Sequence, residues 1–165
     1  MAVSGKLCWI FINGIIMEKN ELVKIISEIL IPIGFKKKGN YWIINGDAVT
    51  KMVNLQKSQF SNSFYINYGY ILKSIPLDNE MMHIYNRVTS ADVEERNRLK
   101  ELLNLENNIS NAERSIELKQ LILDKLVTNI QSVNTEEDLL NDLKRRPHLN
   151  DIPLIVKKHF DLELE

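Results

Sequence analysis

Cysteine is nearly absent from this sequence, since Cys8 is the only one among 165 residues. A single thiol cannot form an internal disulfide framework or a multi-cysteine zinc site, and it is typical of proteins in a reducing compartment. Glycine and proline are also few, at six and four residues, and no repeat, low-complexity tract or long linker interrupts the chain. With 44% hydrophobic residues, the sequence predicts a single cytoplasmic domain over residues 1–165 that can bury a core.

The signature motifs of several enzyme classes are absent as well. The sequence contains neither common type of phosphate-binding glycine loop, no H-E-x-x-H and no G-x-S-x-G. The histidines at 83, 148 and 159 are too far apart for metal-ligand spacing, and a lone histidine is usually structural. Asp47 is the only acidic residue in the predicted sheet, which disfavours a nuclease-like cluster of carboxylates. The sequence therefore favours a protein that is not an enzyme, and it predicts no metal and no cofactor.

The charges are unevenly distributed, although the formal net charge is only −1. Residues 1–91 carry ten lysines and arginines against six acids, and residues 92–165 carry eleven against sixteen. A mildly basic half beside an acidic half differs from the strongly basic domains that bind nucleic acids in general. Nucleic acid is therefore not the expected partner.

Residues typical of β-strands crowd together between positions 35 and 72. An Asn-Gly pair at 45–46 and a Ser-Asn pair at 61–62 punctuate this stretch as turns, so it predicts three consecutive antiparallel strands. The segment 83–88 is a candidate fourth strand. Because the flanking segments have helical periodicity, the predicted fold class is α+β: an N-terminal helix, a three- to four-stranded antiparallel meander sheet and a C-terminal helical lobe.

Helical segments flank the sheet on both sides. Apolar residues at helical spacing predict a first helix over 18–30, so that residues 17–91 make up the helix and sheet. Residues 92–165 make up the lobe, whose first helix is expected to run from a cap at Thr89 or Ser90 to about Glu106. Later helices are expected to begin at capping residues: Ser110 for a long helix, Thr135 for a helix to Arg145, and Asp151 with Pro153 for a short one. The long helix is expected to bury one stripe: Ile116, Leu123, Leu126, Val127 and Ile130.

Residues 1–16 form a hydrophobic segment ahead of the first helix. The run LCWIFI after Lys6 is similar to a short signal core, but no A-x-A cleavage pattern follows it. The run is also too short to span a bilayer. We expect these residues to be an upstream extension or an arm that lies on the domain.

The register of the two predicted hairpins depends on loop length. In the second hairpin, an even loop places Gln56 opposite Asn67 and Leu55 opposite Tyr68, which separates an apolar face from a polar one. In the first hairpin, we favour a three-residue loop at 44–46, with a left-handed Gly46 and with Tyr41 opposite Val49. The alternative is a two-residue loop with a bulge at 39–40.

The polar face of this predicted sheet is the candidate binding site. Amides and hydroxyls on a rigid sheet can form directional hydrogen bonds to peptides, bases or carboxylates. The alternative is that the face is merely solvated or is covered by the C-terminal helices. The candidate site residues are Asn54, Gln56, Ser58, Tyr65, Asn67 and Arg87.

Three short motifs lie within the predicted sheet: GFKKKG at 34–39, VNLQKS at 53–58 and FYINYG at 64–69. Together they resemble the signature of a bacterial family called domain of unknown function 4304, over roughly residues 22–88. This resemblance implies a shared fold and a bacterial source. It implies no activity, because the function of the family is unknown.

Three functions are compatible with these observations. The favoured one is a protein-binding module, of an immunity or regulatory type, whose partner is another protein. The second is an enzyme that handles a small molecule or a nucleotide on the polar face. The third is nucleic-acid binding through the lysines of the sheet: Lys36, Lys37, Lys38, Lys51 and Lys57.

Overall fold

The computed structural model describes residues 17–162 and confirms the α+β fold class. A helix precedes a five-stranded antiparallel sheet, and the remaining helices follow it. The strands are in the order of the chain: β1 (Lys36–Lys38), β2 (Tyr41–Asn45), β3 (Val49–Lys57), β4 (Phe64–Leu72) and β5 (Ile84–Arg87). The helices are α1 (Lys19–Leu30), α2 (Val93–Leu103), α3 (Asn111–Ile122), α4 (Thr128–Gln131), α5 (Glu136–Lys144) and α6 (Leu154–His159).

The sheet has one strand more than predicted at its N-terminal edge. Gly39 adopts a φ of 61°, which glycine tolerates without steric cost, and the chain turns there. Lys36–Lys38 therefore pairs back onto Tyr41–Ile43 as a separate short hairpin. The first predicted strand is therefore divided in two, and the bulge of the alternative interpretation is replaced by a turn at 39–40. The lysines on this edge strand are a common protection against edge-to-edge pairing.

The predicted register of β2 with β3 is wrong. Trp42 lies opposite Val53, and a hydrogen bond of 3.2 Å from the Gly46 amide to the Val49 carbonyl leaves a two-residue turn, Asp47 and Ala48, so that Tyr41 lies opposite Asn54 on the other face from the one predicted. The glycines with positive φ in the described part of the chain are Gly34 and Gly39, so Gly46 is not left-handed. The burial of Trp42 explains this register, because the indole packs on the apolar face and donates to Ser27 Oγ at 3.0 Å.

The predicted register of β3 with β4 is shifted by two residues. Leu55 lies opposite Ile66 instead of Tyr68, and Asn54 rather than Gln56 lies opposite Asn67. The loop remains even but is centred one residue earlier than predicted, and the Ser58 amide donates to the Ser63 carbonyl at 2.8 Å across its base. Since side chains alternate with a period of two, a shift of two leaves every residue on its predicted face.

The fourth predicted strand, 83–88, is present as β5. Gly69 of β4 lies against it so closely that a Cβ there would be 1.8 Å from the Ile84 carbonyl oxygen and 2.4 Å from Met82 Sδ. The approach of the two backbones therefore depends on the missing side chain of Gly69.

The helices pack on one face of the sheet. Besides the bond from Trp42 to α1, the Tyr70 hydroxyl donates to the Asn129 carbonyl at 3.3 Å, and Lys51 Nζ donates to Asn134 Oδ1 at 2.7 Å. The apolar residues of this sheet face and of the helices form one buried cluster, which extends from α1 to α6. The candidate site residues of β3, β4 and β5 lie on the opposite face of the sheet.

The helix α2 starts later and ends earlier than predicted. Asp92, not Thr89 or Ser90, caps it by accepting a hydrogen bond of 2.8 Å from the Glu95 amide. The Ser90 hydroxyl is occupied instead by the Glu95 carboxylate and the Asp92 amide. The helix ends at Leu103, three residues before Glu106.

The long helix after Ser110 begins as predicted but is not continuous. The Ser110 hydroxyl caps α3, yet a π-helical turn at Leu123–Val127 separates α3 from α4. The wider turn changes the angular positions of the residues that follow it. Ile116, at 70% exposure, and Leu123 are outside the core, so the predicted stripe is wrong at both positions.

The last two helices follow their predicted starts closely. The Thr135 hydroxyl accepts a hydrogen bond of 3.1 Å from the Asp138 amide and opens α5, and Pro153 precedes α6. No helix among residues 17–162 is long and apolar enough to cross a membrane. The segment 1–16 lies outside the described residues.

We predict that Leu55→Ala destabilises the protein by about 2–5 kcal/mol, because Leu55 is 2% exposed and its truncation leaves a cavity. Lys57→Ala is the matched control on the same strand and face. Its side chain is exposed, so its effect should stay within about 0.5 kcal/mol. Chemical denaturation of both variants measures the difference, and equal small effects would contradict the face assignment.

We predict that Gly69→Ala lowers the free energy of unfolding by about 3 kcal/mol or more, which is the upper end of the range for overpacking. The reason is that the new methyl group would meet the backbone of Ile84, which cannot move aside as a side chain could. Gly39→Ala is the control, because space is open there and only the left-handed backbone is strained, by about 1–2 kcal/mol. Hydrogen exchange should report loss of protection in β5 for Gly69→Ala alone. Unchanged protection in β5 would refute the close approach.

Candidate functional site

The sheet face away from the helices, here called the open face, carries alternate residues of all five strands. The helix contacts described above reach the other face. On the open face, even-numbered residues of β3 lie beside odd-numbered residues of β4 and β5. Its main side chains are Lys36, Lys38, Tyr41, Ile43, Met52, Asn54, Gln56, Tyr65, Asn67, Tyr85 and Arg87.

Asn67 is the centre of an amide network on the open face. Its side-chain amide donates to Gln56 Oε1 at 2.9 Å and to Asn54 Oδ1 at 3.3 Å. Asn54 in turn donates to the Asn40 carbonyl at 3.4 Å. Asn67 is 0% exposed, and its side-chain hydrogen bonds are made on this face alone. The network therefore links β3, β4 and the turn between β1 and β2 without any helix residue.

Arg87 is held in place above this network. Its Nε donates to Asn67 Oδ1 at 3.1 Å, and the centre of its guanidinium lies 4.1 Å from the ring centroid of Tyr65. Stacking on an aromatic ring and a fixed hydrogen bond both reduce the freedom of the side chain. Arg87 nevertheless remains exposed. It is thus a positioned cation with nitrogen donors directed to solvent.

The charge of the open face has one sign. None of the five strands that the structure describes contains aspartate or glutamate. Lys36, Lys38 and Arg87 are exposed on this face. No carboxylate oxygen of the described residues lies within 4.0 Å of the Arg87 nitrogens. The acids that the structure describes lie on helices and loops, so the open face is a local positive surface in a protein of nearly zero net charge.

Exposed aromatic and thioether side chains occur in β5 and in the loops that adjoin the strands. Tyr85 is 42% exposed and its hydroxyl donates to Gln56 Oε1 at 3.4 Å, and Met81 is exposed just before β5. Phe60, at 96% exposure, lies in the loop between β3 and β4. Tyrosine, methionine and arginine are the residues enriched at the centres of protein interfaces, while lysine and glutamate are depleted there.

Five of the six predicted site residues come together in this arrangement. Asn54, Gln56, Tyr65, Asn67 and Arg87 share hydrogen bonds or the cation–π contact. Ser58 does not join them. Its hydroxyl accepts from the Phe60 amide at 3.2 Å and stabilises the loop instead.

Tyr85 was missed at the sequence level. It alternates with Arg87 in the candidate strand 83–88, and this period of two is the signal that places both on one face.

His83 has a structural role in the described fold. It is buried, and its Nδ1 accepts a hydrogen bond of 2.9 Å from the Leu72 amide. The proton of the neutral ring is therefore on Nε2, which donates to the Pro76 carbonyl at 2.9 Å. Both nitrogens are used by backbone groups. Within residues 17–162, no group of three His, Cys, Asp or Glu side chains is arranged to hold a metal ion.

The five lysines of the nucleic-acid hypothesis are divided between the two faces. Lys51 is buried on the helix side, and this burial lowers the pKa of its amine. Lys37 and Lys57 also alternate away from the open face, which leaves Lys36 and Lys38. The predicted basic patch is therefore not continuous.

A polar cavity of about 310 Å³ lies on the helix side of the sheet, lined by Tyr68 and Tyr70 among others. Burial raises the pKa of both phenols, so both remain protonated donors near neutral pH. The Arg146 guanidinium in this cavity is within 3.3 Å of Asp142 and 3.7 Å of Asp151, so its charge is compensated locally.

The model of the family described as domain of unknown function (DUF4304) matches residues 26–138, more than half of the chain. The match extends from α1 into α5, beyond the segment in which the motifs resemble the family. No curated protein and no solved structure matches the chain.

We predict different effects for the two central amides. Asn67→Ala should destabilise by about 1–3 kcal/mol, because Asn67 is buried and its removal leaves polar partners unsatisfied. Gln56→Ala should stay within about 0.5 kcal/mol, because water reaches the exposed Gln56 side chain. The sequence alone predicts no change for either, since it does not show that Asn67 is enclosed.

Thermal and chemical denaturation of both single variants and the double variant test this difference. The double variant should also reveal the coupling between the two amides across their hydrogen bond. If Asn67→Ala leaves the free energy of unfolding unchanged, solvent reaches the centre of the network and the prediction is wrong.

Proposed function

The chain belongs to the family of unknown function DUF4304, and we propose that it is a protein-binding module whose open face recognises an acidic surface of another protein. An immunity-type or regulatory protein would use such a surface, because it inhibits or positions its partner and transforms no substrate.

The observation that carries this proposal is the positioned and uncompensated Arg87. Its stack on Tyr65 and its bond to Asn67 order the side chain before any partner arrives. Ordering in advance removes an entropic cost that binding would otherwise include. Arginine and tyrosine are also the residues that most often dominate interface energies. A carboxylate of the partner is the natural ligand of a free guanidinium edge.

The charge of the open face specifies the partner further. Lys36 and Lys38 at one side and Arg87 at the other carry the same sign, with no strand carboxylate between them. A basic partner would be repelled, whereas an acidic partner would be steered to the face. The exposed Tyr85 supplies nonpolar area with a hydroxyl that is already fixed.

An enzyme on the open face is less well supported. The described cavities lie at the edges or on the helix side, and none has the amide network as its floor. Nucleic acid is disfavoured by the division of the lysines between the two faces. Exposed aromatic residues can stack on bases, so single-stranded RNA serves as a competitor in the test below.

The test begins with capture of partners from the native host on immobilised protein and measurement of the affinity for each identified partner. Arg87→Ala should weaken binding by a factor of about 30 or more, the scale of an interface hot spot near 2 kcal/mol. Arg145→Ala is the matched control, because Arg145 is an exposed arginine of the helical lobe that pairs with Asp142 at 3.5 Å, far from the open face in the chain. It should bind like the unmodified protein.

Arg87→Lys tests whether binding needs the planar guanidinium stacked on Tyr65 or only a positive charge. Lysine keeps the charge but lacks the planar group. Binding should remain weak in this variant. The proposal fails if Arg87→Ala binds as well as Arg145→Ala, or if single-stranded RNA displaces every captured protein.

A further inference from the structure

A cavity of about 410 Å³ lies between α2 and the adjoining ends of β4 and β5, and we call it the edge cavity. Tyr65 and Arg87 form its border with the open face. Arg96 and Lys100 of α2 line it from the other side. Its volume falls within the range of sites for small ligands.

The edge cavity is lined by three cations and by no acidic side chain: Arg87, Arg96 and Lys100. Among residues 17–162, no carboxylate oxygen lies within 4.0 Å of their nitrogens. Arg98, on the same helix, is by contrast within 3.1 Å of Glu101 and within 2.7 Å of two acids of α3. The cations of α2 are thus compensated on one side of the helix and uncompensated at the cavity.

Arg96 is partly ordered without an anion. One of its terminal nitrogens donates to the Ser90 carbonyl at 3.2 Å, and the side chain is half-buried. A carbonyl fixes the direction of a guanidinium but does not neutralise it. The remaining donors of Arg96 are available to a ligand in the cavity.

Nonpolar side chains form the wall beneath these cations. They come from the sheet and from the core side of α2, and all are buried: Phe64, Ile66, Val88, Leu99 and Leu103. The lining therefore combines positive charge at the rim with a nonpolar interior. A free anion such as acetate would use only half of this surface.

We propose that the edge cavity binds a small amphipathic anion, in which a carboxylate or phosphate is attached to a nonpolar body. The anion lies between Arg87, Arg96 and Lys100, where charge-assisted hydrogen bonds are strongest. The nonpolar body lies against the buried residues of α2 and β4 and is removed from water there. This site is distinct from the proposed protein-binding function, although Arg87 borders both.

The helix-side cavity lacks this combination, because Asp142 and Asp151 already compensate its arginine. Its phenols and amides suit a neutral polar group or water. The difference between the two cavities is therefore one of available charge as well as of shape.

The test uses four probes in isothermal titration calorimetry with the full chain: octanoate, octyl phosphate, 1-octanol and acetate. Octanoate or octyl phosphate should bind at one site per chain, and both neutral octanol and short acetate should bind at least about tenfold more weakly. The two amphipathic anions distinguish a carboxylate site from a phosphate site. Equal binding of octanol and octanoate would overturn the proposal.

The variants Arg96→Gln and Lys100→Gln locate the binding. Each should weaken the affinity for the better anion about tenfold, the usual scale of a hydrogen bond to a charged group. Lys144→Gln, which removes an exposed lysine of α5, controls for the change of net charge and should bind normally. Denaturation midpoints of all three variants show whether each is folded.

The result is separable from the test of protein binding, because Arg96 and Lys100 are not part of the amide network. If these variants bind the anion normally, the edge cavity is not the site and the open-face proposal is unaffected. A second outcome is that Arg96→Gln and Lys100→Gln no longer bind the anion, while Arg87→Ala binds protein partners as well as Arg145→Ala does. In that case the anion site is supported and the open-face proposal fails.

Discussion

The pairing of β3 with β4 is the constraint on which the rest of this structure depends. The two strands pair along their whole length, from Val49 opposite Leu72 to Lys57 opposite Phe64. Because side chains alternate, this pairing assigns Leu55 and Ile66 to the helix side and Asn54 and Asn67 to the open face. A slip of one residue would bury amides beneath α1 and expose the core. The outer strands add to the two faces that this central pair has already separated.

The two faces of β3 and β4 could be predicted from the sequence because alternation is a local property, whereas the registers and the face assignment of β2 could not. The Asn-Gly pair at 45–46 indicated a turn, but the turn is at Asp47 and Ala48, because burying Trp42 on the helix side stabilises that alignment and places Tyr41 on the open face. The register of the second hairpin was wrong by two residues, an even number. The site residues therefore still come together, except for Ser58, whose hydroxyl accepts a hydrogen bond within the loop between β3 and β4. What the sequence could not show was the enclosure of Asn67, which depends on β5 and Arg87.

In the helical lobe, the hydrophobic pattern of the sequence misses buried polar contacts and irregular turns. Arg114 is 1% exposed in α3 and donates to the carbonyls of Asn104 at 3.1 Å and Asn107 at 2.9 Å, beyond the end of α2. Periodicity treats an arginine as a surface residue, so this buried connection has no signature in the hydrophobic pattern. The hydrophobic pattern does not indicate the π-helical turn after α3 either, and this turn changes which of the following residues reach the core. The edge cavity belongs to the same class, because it exists only once α2 is placed against β4 and β5.

The distribution of charge connects the two proposed sites. The chain has a net charge near zero, yet the acids among residues 17–162 are on helices and loops, where Glu113 and Glu117 already bind Arg98. Within the same residues, the cations at the sheet edge have no such partners. Arg87 lies at the junction, facing Tyr65 and Asn67 on one side and the edge cavity on the other. A single guanidinium cannot offer the same donors to an acidic partner and to a bound anion at once. Under both proposals the two ligands would therefore compete, and by linkage each would weaken the other by the same factor.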